Sequence, residues 1–336
     1  MNLKTNWLGL HLENPLVPSA SPLTRSLDAA RALEDAGAGA LVMYSLFEEA
    51  ITAEEEAMVR FLHHQDHGHA EADDFLPDHM DFPGELDRYL EQLAALKASL
   101  DIPVVASLNG VTDSGWLDIA KLLQEGGADA LELNVYYIAS APWEECEQVE
   151  QRYVQLLNHL REEITLPINM KLSPFFSSIG HMVKRLENAG ARGVSLFNRF
   201  YQPDINIDNL QLQHSLHPSS SADALLPMRW IAMLYKRVGL SLGATSGVHD
   251  AGDAIKMLLA GADVVHLCTA LLQHGPEHLG RILAGIREWM EQQGFESVDE
   301  FRGRVSQYAV TDTSAFERVN YMRILDSYSF RPGVWS

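Results

Sequence analysis

Four times along the chain, apolar positions at helical spacing run up to a glycine and give way at once to a short, continuously apolar stretch. Ala36-Gly37-Ala38 leads into Ala40-Leu41-Val42, and Gly126-Gly127-Ala128 leads into Ala130–Leu133. Ala189-Gly190-Ala191 leads into Gly193–Leu196, and Ala260-Gly261-Ala262 leads into Val264–Leu267. A glycine can adopt the left-handed conformation that ends a helix. A strand covered on both faces reads as an unbroken apolar run. The same pattern followed along the chain predicts strands at Pro15–Ala20, Ala40–Ser45, Pro103–Leu108, Ala130–Tyr136, Ile168–Leu172, Gly193–Asn198, Ser241–Thr245 and Val264–Cys268. Helices are predicted at Leu27–Ala36, Leu86–Leu100, Trp116–Glu125, Trp143–Glu163, Ile179–Ala189, Met228–Val238 and Ala251–Ala260, with a last one near Gly280–Gln292. Asp250 is placed to cap the helix that starts at Ala251. Helix-to-strand turns repeated this often predict an α/β fold, a (β/α)₈ TIM barrel.

Two long connections break the rhythm, Phe47–Glu85 after the second strand and Arg199–Pro227 after the sixth. Both leave the strand ends where such barrels build their sites, so they read as binding loops or lids. Residues 1–300 are read as the barrel. Residues 301–336 are read as a tail packed on it, with Ala315–Tyr328 as a docking helix. A doubly wound sheet would want G-x-G-x-x-G after an early strand, and the chain has no such motif.

Composition narrows the class. The 336 residues are 46% hydrophobic and carry a formal charge of −21, which opposes nucleic-acid binding. No apolar run reaches the ~18 residues of a membrane span, and Met1–Asn6 lacks a signal-peptide core. Two cysteines, Cys146 and Cys268, make neither a disulfide framework nor an iron–sulfur motif. The cytoplasm is the expected compartment.

Candidate chemistry lies at the strand ends. The first strand offers Ser19, Ala20 and Ser21, the third Asn109, the fourth Asn134 and the sixth Asn198. Lys171, in Asn169-Met170-Lys171-Leu172, is the sharpest of these, because a lysine in a buried strand is costly unless paired. At a barrel mouth it would aim positive charge at a bound anion, though a structural ion pair explains it about equally well. Ser246-Gly247 and Cys268-Thr269 follow the last two strands, where barrels commonly hold phosphate. A cation and a phosphate cradle together suggest a phosphorylated electron acceptor such as FMN.

At these residues the chain resembles the dihydroorotate dehydrogenase family, over nearly its whole length. The likeness rests on Asn14-Pro15-Leu16-Val17, Ala128–Asn134, Met170-Lys171-Leu172-Ser173-Pro174, Thr245-Ser246-Gly247-Val248 and Leu267–Leu271, in the family's order. The resemblance implies that Asn134 contacts the flavin and that Lys171 stabilises negative charge on its reduced ring. Gly247 and Thr269 would hold the phosphate. It also implies a homodimer. The family's base, a cysteine or serine after the fourth strand, is replaced by Tyr137, and Ala139 stands where a substrate-contacting asparagine is expected. Tyr137 is therefore the candidate proton-transfer group, although a phenol with a reference pKa of ~10 is a poor base at neutral pH unless shifted. A second family lysine is replaced by Tyr44.

The expected activity is a two-step flavin oxidation–reduction on a small molecule, dihydroorotate first. The electrons would pass to an external acceptor, which a separate protein could supply. The alternatives are a flavin oxidoreductase for another cyclic amide or unsaturated carbonyl compound, and a noncatalytic partner of another redox enzyme. No metal is expected, and the His63–His69 tract is read as a solvated loop. Glu48-Glu49 could face the pocket and supply a base, but a solvated helix start is the preferred reading, since acids favour that position, and Cys146 is read as a packing cysteine.

Overall fold

The computed structural model describes residues 1–54, 84–110, 116–135, 137–199, 201–317 and 319–326. The His63–His69 tract and most of the connection after the second strand lie outside them. Eight parallel strands form the barrel: β1 (Leu16–Pro18), β2 (Leu41–Val42), β3 (Val104–Gly110), β4 (Ala130–Val135), β5 (Ile168–Leu172), β6 (Gly193–Leu196), β7 (Ser241–Ala244) and β8 (Val264–Leu267). They pair in sequence from β2 to β8, and β8 pairs with β1. The Gly39 N–H donates to the Leu16 carbonyl at 2.8 Å and closes the ring between β1 and β2. A Cβ at Gly39 would lie 2.2 Å from the Asn14 carbonyl oxygen, so only glycine lets the strands meet there.

The helices are α1 (Leu27–Asp35), α2 (Glu85–Ser99), α3 (Trp116–Glu125), α4 (Cys146–Glu163), α5 (Ile179–Asn188), α6 (Leu225–Leu234), α7 (Ala251–Ala260) and α8 (Glu277–Gln293). The glycines of the four helix-to-strand turns, Gly37, Gly127, Gly190 and Gly261, all have φ between 86° and 121°. Asp250 caps α7 by accepting the Asp253 N–H at 2.9 Å. Helix α6 begins at Leu225, three residues before the expected Met228. Pro227 sits in its first turn, where a missing N–H has no partner to lose. Cys146 is the first residue of α4 and is exposed, not packed.

Two hairpins are additions to the predicted plan. Thr5–Trp7 pairs antiparallel with Leu10–Leu12 and plugs the N-terminal end of the barrel. Trp7 is wholly buried there among Leu8, Leu12, Val17, Val42, Val105 and Val264. The second hairpin pairs Asp204–Asn206 with Gln211–Gln213 in the connection after β6. It leaves Ile205, Ile207, Leu210 and Leu212 exposed. In the tail, the Gly303 and Val305 N–H groups donate to the Leu258 and Leu259 carbonyls of α7. Tyr321, Met322, Ile324 and Leu325 of the helix Val319–Asp326 are exposed. Among the described residues, no helix is long and apolar enough to cross a membrane.

Candidate active site

The C-terminal strand ends open into a cavity of about 750 Å³, within the ~300–1,000 Å³ typical of small-molecule and cofactor sites. Parallel register builds its floor. Asn109, Asn134, Lys171 and Ser195 stand side by side on β3, β4, β5 and β6. Ser107, Glu132 and Asn169 form the level beneath. Period-two alternation turns both levels into the barrel.

Lys171 is buried at this floor and lines the cavity. Its ammonium lies 3.2 Å from Glu132 Oε1 and donates to Ser19 Oγ at 3.3 Å. The Asn134 amide donates to Ser107 Oγ at 3.1 Å, and that hydroxyl pairs with Ser45 Oγ at 2.9 Å. These bonds fix which way the asparagine points. His266 also lines the cavity, and burial pushes its pKa down to about 4, so the ring is neutral.

The phosphate-type corner is built from turns. Ser246 and Gly247 both have left-handed φ, 83° and 74°. A Cβ on Gly247 would sit 2.2 Å from the Ala224 nitrogen, so this turn excludes any other residue. Across from it, the short helix Thr269–His274 starts at Cys268, whose side chain makes no capping bond. First-turn N–H groups of a helix lack intrahelical acceptors and suit an anion. Ser246, Gly247, Cys268 and Thr269 all line the cavity.

Of the residues singled out from the sequence, Ser19, Ala20, Asn109, Asn134, Lys171, Asn198, Ser246, Gly247, Cys268 and Thr269 are brought together here. Ser21 and Tyr137 are not among the lining residues. Ser21 is buried, and its carbonyl accepts the Thr24 hydroxyl. The Tyr137 hydroxyl donates to Glu144, and the Arg152 guanidinium covers its ring at 4.4 Å. That hydrogen bond raises the phenol pKa, so even less phenolate is available at neutral pH than for an unperturbed tyrosine. Tyr44 packs edge-on against Tyr89 with Arg25 above its ring, also away from the lining.

Three further buried polar groups lie at or beneath the cavity floor, His266 among its lining residues and Glu132 and Asn169 on the level below. Their signal was the one that exposed Lys171, a polar residue inside an otherwise apolar strand. Glu49 is exposed in the first turn of a helix, as expected, and also lines the cavity mouth with Phe47, Arg199 and Tyr201. Glu48 instead accepts the Trp116 indole N–H at 3.2 Å. Burial holds the Cys268 thiol above its ordinary pKa, so it stays protonated at neutral pH. Among the described residues no group of three or more histidine, cysteine or acidic side chains could hold a metal ion.

A family model described as dihydroorotate dehydrogenase matches residues 2–290. Similar proteins include dihydroorotate dehydrogenase A (fumarate) of Lactobacillus delbrueckii subsp. bulgaricus. It is 26% identical over 317 residues, covering 91% of this chain and 99% of that protein. The catalytic subunit of dihydroorotate dehydrogenase B (NAD(+)) of Pyrococcus furiosus is 26% identical over 308 residues, 90% of this chain and 98% of its own. The chloroplastic dihydropyrimidine dehydrogenase (NADP(+)) of Arabidopsis thaliana is 22% identical over 257 residues, 69% of this chain and 59% of its own. A closed parallel barrel, a lysine at its C-terminal face and a family match over residues 2–290 agree: the chain belongs to the dihydroorotate dehydrogenase family.

Proposed function

We propose that this chain is an FMN-dependent oxidoreductase acting on a CH–CH bond, with dihydroorotate as the first substrate to test. The observation that carries this reading is the placement of the buried Lys171 ammonium and the left-handed Ser246–Gly247 turn on one 750 Å³ cavity. A cation at one end and backbone N–H donors at the other match a flat, electron-accepting ring joined to a phosphate. The chain's residues fit FMN in this sense. Ser246, Gly247 and Thr269 would hold the phosphate, Asn109, Asn134 and Asn198 the ring edge, and Ser19 and Ala20 its flank. FMN held there would supply the hydride acceptor, and an external acceptor, which a separate protein could provide, would take the electrons. Lys171 would stabilise the negative charge that reduction places on the ring.

The proton that leaves with the hydride needs an acceptor in the cavity. Tyr137 was the expectation, but its hydroxyl is committed to Glu144. Cys268 is held as a thiol by burial. Glu49 is an acid among the residues that line the cavity, and we assign it the base role. This exchange favours a second reading, the same flavin chemistry on another cyclic amide or unsaturated carbonyl compound. A homodimer belongs to the same proposal. The apolar hairpin after β6 offers an unpartnered surface for it, and sedimentation velocity tests it.

The deciding experiment is an absorbance spectrum of the purified protein, followed by anaerobic addition of dihydroorotate. Flavin bands that bleach support both cofactor and substrate. Bands that persist keep the cofactor and discard the substrate. A colourless protein that takes up no added FMN overturns the reading and leaves the noncatalytic role.

A further inference from the structure

Glu132 is wholly buried beneath the cavity floor, and each of its carboxylate oxygens is engaged. Oε1 faces the Lys171 ammonium at 3.2 Å, and Oε2 accepts the Asn169 amide at 3.1 Å. That amide nitrogen also donates to Ser195 Oγ at 2.9 Å, and Ser195 Oγ pairs with His266 Nε2 at 3.1 Å. The barrel backbone is shaped around this chain of groups. A Cβ at Gly243 would lie 2.6 Å from Ser195 Oγ and 2.8 Å from His266 Nε2. The network ends in a neutral imidazole, so Glu132 is its only anion and Lys171 its only cation.

The floor of the cavity is therefore a compensated pair and not a lone positive charge. We propose that Glu132 is a positioning residue that fixes the Lys171 ammonium toward the cavity and offsets its charge, holding the bound flavin at a lower reduction potential than an uncompensated lysine would set. The inference rests on the proposed FMN binding. Its physical basis is that opposite charges about 3 Å apart in a poorly polarisable interior strongly weaken each other's field at a third group.

The test is the reduction potential of the FMN-loaded protein, measured by equilibration with a reference dye. Glu132→Gln keeps the shape and removes the charge. It is expected to favour the reduced form by about tenfold, which is about 30 mV for a two-electron couple. Glu132→Asp withdraws the carboxylate by one methylene and is expected to give a smaller rise, about threefold. That conservative variant carries the test if Glu132→Gln does not fold. FMN bound with an unchanged potential in both variants, or in Glu132→Asp alone where it is the only folded one, overturns the inference and leaves the FMN reading intact. A wild-type chain that does not bind FMN overturns both.

Discussion

Replacing Trp7 by alanine removes the plug from the closed end of the barrel. The indole is fully buried, and its ring meets His266 edge-on with centroids 5.3 Å apart. Deleting a buried tryptophan to alanine typically destabilises by about 3–5 kcal/mol. One contribution runs the other way. The Trp7 Nε1 has no hydrogen-bond partner among the described residues. An unpaired buried donor costs about 1–3 kcal/mol, and the substitution relieves that cost. The net expectation is a loss of about 2 kcal/mol. At about 2.1 cal/mol/K per residue, a chain of 336 residues unfolds with about 0.7 kcal/mol/K. The midpoint should therefore fall by about 3 °C. Circular dichroism during heating, without added FMN so that ligand linkage does not enter, reads this directly. Trp7→Phe keeps an aromatic edge against His266 and removes the unpaired donor, so it should fall by less than half as much. A Trp7→Ala midpoint within about 1 °C of wild type would show that the hairpin only decorates a barrel whose floor the strands hold alone.

Lys171→Met strands the Glu132 carboxylate and should destabilise by about 3–5 kcal/mol, while Lys171→Met with Glu132→Gln recovers most of it; additive effects in urea denaturation would refute the coupling. His266 is neutral when folded, with a pKa of about 4, and regains an ordinary value near 6.5 on unfolding. The unfolded chain thus binds the extra proton between these values, and stability should drop as pH falls from about 6.5 to 4, by on the order of 3 kcal/mol in all. His266→Asn should flatten that slope, and an unchanged slope would assign it to other groups. Gly247→Ala forces a side chain into left-handed backbone against Ala224, and equilibrium dialysis should show FMN affinity reduced by at least about tenfold. Glu49→Gln should reduce flavin reduction by the true substrate by about 100-fold or more with FMN still bound, whereas Tyr137→Phe should leave the rate within about twofold. The reverse order in stopped-flow traces would return the base role to Tyr137.

What the sequence disclosed follows from how locally each feature is encoded. The barrel strands were legible because a strand buried on both faces must be apolar throughout, and the glycines ending their preceding helices have no substitute at those φ values. Lys171 stood out for the same reason, as a charge set in such a strand. The hairpin at Thr5–Leu12 escaped notice because its turn is Leu8–Gly9, with φ of 61° and 91°, and not the Asn-Gly or Asp-Gly that usually marks a two-residue turn. Leu8 accepts that backbone because its side chain is buried in the barrel floor. Its reason is tertiary and leaves no local mark. Glu49 does stand exposed at a helix start, and only the folded chain shows this start at the rim of the cavity. The surroundings of Tyr137 were not legible, because alignment of a motif fixes where a residue falls in the chain and not what its hydroxyl meets. Glu144, seven residues on, decides that.

The residues suited to gripping a cofactor and those at the mouth are carried on different parts of the chain. Lys171, Asn134, Gly247 and Thr269 stand at the ends of barrel strands, where the whole fold holds them. Glu49, Phe47, Arg199 and Tyr201 come from the two excursions after β2 and β6. Descendants of such a protein can therefore exchange their mouths without disturbing their engines. Changing what such a protein acts on is then a matter of rebuilding its threshold, while the strand-borne interior needs no redesign.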